Sequence, residues 1–243
     1  MHKRKLGADD GNAPASQKRK SSHEHQPDPT IPMPVISNVV ATFRCGKRLN
    51  LLQFAQCYGF EFQPSRFAAC SIRLRCEKNV RSTALAFSSG KFVVTGARSE
   101  LDSLLAARKY VALLNRLGER LCFISFTVQN IVSSCNFHKP IHLAELAAKN
   151  TDTCSWENRK FPGLVLRDGS GLVVLVFRSG RCVITGAKSK RQLEHQWPRL
   201  YRFLLRYVDH DNPNKCSRVY AAELRQQQER LPDTAFDDPG DMF

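Results

Sequence analysis

Apolar side chains occupy both parities from Ser82 to Phe87 and again around Phe92 to Thr95, the pattern of two strands joined by a turn at Ser88-Ser89-Gly90. Arg66 to Arg75 alternates as a further strand after a turn-rich stretch with Pro64, and Arg178-Ser179-Gly180 forms a second hairpin tip. Three segments carry the helical period instead. Leu49 to Gly59 places Leu51, Leu52 and Ala55 at that spacing. Leu101 to Leu117 has apolar positions 101, 104, 105, 111, 113, 114 and 117, and Arg191 to Tyr207 brings Leu193, Trp197, Leu200, Leu204 and Tyr207 near one face. Each half of the chain reads as helix, several antiparallel strands, helix. Leu85, Phe87, Val93 and Thr95 line one strand face, and Ala84, Ala86, Phe92 and Val94 the other. Two long helices per half can cover one of these faces. The second is either an open apolar patch of the kind that marks a binding site or the inner surface of a sheet buried on both sides.

The halves are copies. Leu85 to Ser99 and Leu175 to Ser189 align without a gap, ninety positions apart, with nine identities in fifteen. Asn38-Val39-Val40 and Asn130-Ile131-Val132 lie 92 apart, and Phe67 and Phe161, each after a basic residue, lie 94 apart. One copy runs over 35–118 and the other over 126–208, inside a core of 31–208. A repeat this long is neither a solenoid unit nor a propeller blade, so two copies form two halves of one pseudo-symmetric body.

Charge sharpens this picture. The formal charge is +15, with +2 on residues 1–30 and −4 on residues 209–243, which leaves +17 on the duplicated core. Such an excess suits a polyanion, nucleic acid first among them, or else a solvated basic surface. The nine cysteines are an odd number without a Cys-x-x-Cys pair, a pattern of buried thiols in a reducing compartment. Cys135, His138 and His142 have a spacing a metal could use, but no fourth ligand is evident, so no metal and no cofactor is expected. No stretch has the length of a transmembrane helix, and no apolar signal core opens the chain, which points to a soluble protein with no membrane role. Residues 1–30 are too polar to fold alone and hold Lys3-Arg4-Lys5 and Lys18-Arg19-Lys20, similar to a bipartite nuclear import signal. Arg218 to Leu231 reads as a helix ahead of an acidic end, within a 209–243 extension.

The paired Asn-[Val/Ile]-Val starts, the RFAA and KFPG segments and the doubled Phe-x-Ser-Gly-[Lys/Arg]-x-Val-x-Thr-Gly-Ala resemble the TATA-box-binding protein family, in one register from Val35 to Val208. The resemblance implies an α+β saddle: ten antiparallel strands, helices on the convex side, and a concave face that binds the DNA minor groove. It places Phe67 with Phe87, and Phe161 with Phe177, at the wedge positions that intercalate and kink the duplex. Asn38, Asn130, Thr95 and Thr185 would supply hydrogen bonds near the centre. Val40, Leu85, Val93, Val132, Leu175 and Val183 would lie against sugars and base edges. Arg66, Arg73, Lys91, Arg98, Arg167, Arg181 and Lys188 match phosphate contacts, which add affinity without sequence information.

The family also implies partners: transcription factor IIA-like and IIB-like proteins, TATA-binding-protein-associated factors and the RNA polymerase machinery. Arg108-Lys109-Tyr110 resembles its basic surface for factor IIA. Trp156-Glu157-Asn158-Arg159-Lys160 departs from the family's Tyr-Glu-Pro-Glu-Leu, which meets factor IIB. Glu157 is kept, but Arg159 replaces an acid and Lys160 an apolar residue, so an altered or compensating IIB-like partner is expected. Asp168-Gly169-Ser170-Gly171 is likewise less basic than usual. The implied activity is that of a nuclear general transcription factor at A·T-rich core promoters. The alternative is an assembly scaffold with reduced TATA preference, delivered by partners. An enzyme is not expected, since no phosphate-cradling Gly-rich loop, nucleophile elbow, HExxH motif or paired metal carboxylates are present.

Overall fold

In the computed structural model, which describes residues 30–75 and 81–209, one antiparallel sheet runs through both repeats. The first half consists of β1 (Val35–Arg44), α1 (Leu51–Tyr58), β2 (Ala69–Arg75), β3 (Arg81–Phe87), β4 (Lys91–Ala97) and α2 (Glu100–Arg116). The second consists of β5 (Ile124–Asn136), α3 (Leu143–Lys149), β6 (Cys154–Ser155), β7 (Leu164–Arg167), β8 (Val173–Val176), β9 (Arg181–Ala187) and α4 (Lys190–Leu205). The strand order is β2-β3-β4-β1-β5-β9-β8-β7-β6, so β1 and β5 meet at the centre and each half fans outward from them.

Each half therefore opens on a strand, not on a helix as the local period suggests. The Asn-Val-Val and Asn-Ile-Val starts belong to long strands whose partner is the other repeat, with Asn38 opposite Val132 and Val40 opposite Asn130. Local periodicity carries no signal of so distant a partner. Among the described residues nine strands form where the resemblance implies ten. In the second half β6 pairs with β7, but in the first the corresponding segment makes a single bridge, Glu61 to Ser71. β2 begins at Ala69 rather than Arg66 because the Arg66 and Phe67 amides both donate to the Gln63 carbonyl, at 3.0 and 2.9 Å. That turn lifts Phe67 out of the ladder.

The four helices among the described residues cover one face. Two buried clusters lie beneath them, one per repeat, the first with Phe43, Phe92, Tyr110 and Leu114, the second with Ile131, Ile184, Trp197 and Leu204. α4 buries Leu193, Trp197, Leu200 and Leu204, the stripe read from the sequence. α2 follows its stripe only at Val111 and Leu114. Leu101, Leu105 and Leu117 are exposed, while Ser103, Ala106, Ala107, Tyr110, Val111 and Leu114 face the sheet. Phe43 and Phe92, stacked 4.7 Å apart, add bulk on the sheet side, and the N-terminal part of α2 buries only the small Ser103, Ala106 and Ala107. Leu52 on α1 is likewise exposed, and Phe54 takes the core position. Side-chain caps start α1, α2 and α4: Asn50, Ser99 and Ser189 accept the amides of Gln53, Asp102 and Gln192. The Lys-Arg-Lys clusters and the Arg218–Leu231 helix lie outside the described residues. No helix among the described residues is long and apolar enough to cross a membrane.

Candidate nucleic-acid interface

The strand parity left open by the sequence is decided by where the helices sit. Ala84, Ala86, Phe92, Val94, Val174, Val176, Cys182 and Ile184 are wholly buried under them. Their neighbours Val40, Leu85, Val93, Val132, Leu175 and Val183 lie on the opposite, uncovered face and are only partly buried. The fold is thus a saddle with one apolar face open.

At the two ends of that face stand two aromatic pairs. Phe67 and Phe87 have centroids 5.9 Å apart at 75°, and Phe161 and Phe177 are 5.9 Å apart at 67°. Phe67 is 52% exposed and Phe161 40%, unusual for a ring with no polar atom. None of the four is sealed beneath a helix. Gly163 is part of the arrangement: a Cβ there would come within 2.6 Å of the Phe161 ring and 3.0 Å of Phe177.

Near the centre, each repeat builds the same polar clamp. Asn38 Oδ1 accepts from the Gly96 amide at 2.7 Å and from the Thr95 hydroxyl at 3.0 Å. Asn130 Oδ1 accepts from the Gly186 amide at 2.8 Å and from Thr185 at 3.1 Å. A backbone N–H can only donate, so it fixes which end of the amide is the oxygen and turns the NH₂ the other way. Both clamps therefore offer N–H donors. The Asn130 nitrogen also lies 2.9 Å from Thr185 Oγ1, leaving that side one N–H fewer to give. Thr42, held by Gln129 at 2.9 Å, is a further polar residue on this face that the sequence reading missed. Its signal was the shared parity with Asn38 and Val40.

The seven cationic residues expected at phosphates are all exposed. Lys91, Arg167 and Arg181 sit at strand ends on the parity of the open face, and Arg98 and Lys188 follow β4 and β9. Arg73 shares that parity but is paired with Glu61 at 3.0 Å, and Arg66 reaches Gln63 at 3.5 Å. Both contacts are solvent-exposed and cost little to exchange for a phosphate. On the helix side, Arg108 stacks over Phe123 and Lys109 is exposed. Tyr110 is not part of that surface: it is fully buried and donates to the Ser82 carbonyl at 2.7 Å. In the loop before the second aromatic pair, Lys160 bonds Glu157 at 2.6 Å and Arg159 is exposed. Asp168 pairs with Arg199.

Among the described residues no group of three His, Cys, Asp or Glu side chains could hold a metal, and Cys135 is buried while His138 and His142 are exposed. Burial holds the Cys70 thiol up at about 11 and raises those of Cys135 and Cys182, so these thiols stay neutral and unreactive.

The family model for "Transcription factor TFIID (or TATA-binding protein, TBP)" matches residues 33–117 and 125–207. A TATA-box-binding protein of Caenorhabditis elegans is 44% identical over 176 residues, covering 72% of this chain and 51% of that protein. Those of Artemia franciscana (43%, covering 73% of this chain and 64% of that protein) and Saccharomyces cerevisiae (42%, 71% and 71%) are similar. The chain thus spans about half the length of the first of these relatives and under two thirds of the second. Among solved structures, Methanococcus jannaschii TBP superposes with a TM-score of 0.61 at 29% identity, covering 72% of this chain and 99% of that one.

Proposed function

The chain belongs to the TATA-binding protein family, transcription factors rather than enzymes, and from that premise we propose that its open face grips the minor groove of A·T-rich duplex DNA at core promoters. The observation that carries this reading is an uncovered apolar sheet face bounded at both ends by exposed phenylalanine pairs of matching geometry. A·T pairs show only acceptors in the minor groove, and a G·C pair adds the guanine amino donor. The N–H groups of Asn38 and Asn130 suit the acceptors and would oppose that donor, while Val40, Val93, Val132, Val183, Leu85 and Leu175 offer it nothing. Phe67, Phe87, Phe161 and Phe177 unstack base steps at the margins. The bend this produces lets more of the saddle touch DNA, which offsets the cost of unstacking. Arg66, Arg73, Lys91, Arg98, Arg167, Arg181 and Lys188 contact phosphates.

With the groove held, the helix side and loops are free to dock other initiation factors in the nucleus. Arg108 and Lys109 face a IIA-like protein. The Glu157–Lys160 bond neutralises the acid that a IIB-like partner would meet and leaves Arg159 as the unpaired charge of the loop. That favours a partner carrying an acid at the facing position. Binding of an ordinary factor IIB on TATA DNA as tight as that of typical family members would refute it.

The decisive experiment measures bending by energy transfer, and affinity, for an A·T-rich duplex and its G·C counterpart at one salt concentration. A bend with A·T preference is expected, and Phe161→Ala with Phe177→Ala should reduce the bend more than nonspecific binding. An unchanged bend in that variant removes the wedge role. Equal affinity for both duplexes would instead favour the scaffold reading, in which partners deliver the protein.

A further inference from the structure

At the rim of the open face, β1 ends on Arg44, which stands directly opposite Lys91 of β4. Arg44 follows buried Phe43 and shares the parity of Asn38 and Val40, so it belongs to the open face. Like charges placed directly across a strand pair repel. Among the described residues no acidic side chain pairs with Arg44, Arg48 or Lys91, and Glu119 pairs with Lys47. Arg44, Lys47 and Arg48 also wall a hollow of about 330 Å³ with Ser89, Gly90 and Ile124.

The other repeat shows that this charge is not required by the backbone. Gly46 (φ +82°) and His138 (φ +56°) mark the same left-handed turn 92 residues apart. In both, the following carbonyl lies where a Cβ on the hairpin glycine would fall, 2.0 Å from Lys47 O for Gly90 and 2.1 Å from Lys139 O for Gly180. In this shared frame Arg44, Lys47 and Arg48 correspond to Asn136, Lys139 and Pro140, and the Arg44–Lys91 pair to Asn136–Arg181. At these positions the first half holds two cations that the second lacks, while at the hairpin tip the second holds Arg178 where the first has Ser88.

We propose that Arg44 and Arg48, with Lys91, form an additional phosphate cradle, and that its occupant is a backbone phosphodiester of the bound nucleic acid. The first repeat is thereby the stronger electrostatic anchor of the saddle. This rests on the minor-groove reading for the placement of the backbone along the rim. A bound phosphate resolves the Arg44–Lys91 repulsion, and the guanidinium forks of Arg44 and Arg48 can each bond two of its oxygens.

The test uses the full chain and an A·T-rich duplex, with affinity followed against salt for the native protein, Arg44→Asn, Arg44→Lys and the mirror variant Asn136→Arg. Loss of one phosphate contact lowers the slope of log K against log salt by about 0.9, so the native advantage over Arg44→Asn shrinks about 3-fold from roughly 50 to 200 mM salt. Arg44→Lys should keep the slope, Asn136→Arg should steepen it, and free Arg44→Asn should unfold at no lower a urea concentration than the native protein. An Arg44→Asn variant of native stability with unchanged slope overturns the cradle. So does inorganic phosphate stabilising the native protein but not Arg44→Asn while the DNA slope is unaltered, because the site would then hold a free anion. Slopes can be read on any duplex, so absence of bending or of A·T preference in the native protein would sink the minor-groove reading separately.

Discussion

The two halves share a backbone but divide their core volume differently between layers. In the first, the cross-strand pair under the helix is Phe43 with Phe92, and the helix answers with Ala107. In the second, the equivalent pair is Cys135 with Cys182, and the helix position ninety residues on is Trp197. What the sheet gives up in bulk, the helix supplies. Ser103 and Leu193, and Tyr110 and Leu200, are further exchanges at matching positions. The open face behaves in the opposite way: both wedge pairs are Phe with Phe at 5.9 Å, and both clamps are Asn, Thr and Gly. Under the helices only total volume must be kept, whereas at the aromatic pairs and the clamps of the open face the chemical groups themselves are repeated.

The strongest challenge to this comparison is Trp197→Ala, which removes the bulk the second half relies on and the indole bond to the Pro32 carbonyl at 2.9 Å. A loss of about 3–5 kcal/mol in urea unfolding is expected. Adding Cys182→Phe should return part of it if volume is truly exchanged between layers. No recovery would show that the halves are packed independently of this balance.

Gly90→Ala and Gly180→Ala test the shared backbone. Each glycine has positive φ, +77° and +85°, and each Cβ would strike a carbonyl oxygen. Each should cost at least about 1–3 kcal/mol from strain alone, and the two losses should agree. Unequal losses would show that the turns are less alike than their geometry.

The clamps give a smaller, functional difference. Asn38→Ala and Asn130→Ala should each weaken A·T-rich DNA binding by about 1–3 kcal/mol. Because Asn130 shares one N–H with Thr185, Asn38→Ala is expected to be the more damaging. Competition binding at fixed salt ranks them, and the reverse order would contradict the donor count.

The thiols provide the mildest probe. Alkylation of the native protein near pH 8 should label Cys57 and Cys122, both exposed and both in or next to the first half, and spare Cys70 and Cys182. The Cys70 thiol is held at about 11 against its ordinary 9.0, so its contribution to stability is intact below pH 9 and lost as pH rises through about 11. Modification of Cys182 in the folded state, mapped by mass spectrometry, would mean that its layer opens.

The duplication and the α4 stripe were legible because each is written locally, in matched fifteen-residue segments or in apolar residues at one period. The α2 stripe misled for a physical reason. Leu101 and Leu105 have the spacing of a core face, but the residues buried in that part of the helix are Ser103, Ala106 and Ala107, and small residues give a weak periodic signal. Arg44 was passed over because its meaning depends on Lys91 standing opposite, a pairing 47 residues apart. Tyr110 looked like part of a basic surface beside Arg108 and Lys109, yet one helical step carries it to the Ser82 carbonyl.

By itself the sequence determined that two copies of one unit exist, where their turns fall, which residue types recur on each strand, and which family the chain resembles. The tertiary structure alone decided which parity lies under helices and which stays open. Alternation assigns residues to two faces without saying which is covered, because coverage depends on where helices distant in the chain come to rest. For the same reason only the fold could bring Asn38 to Gly96, set Arg44 against Lys91, and stand Phe67 beside Phe87 at the edge of an uncovered sheet.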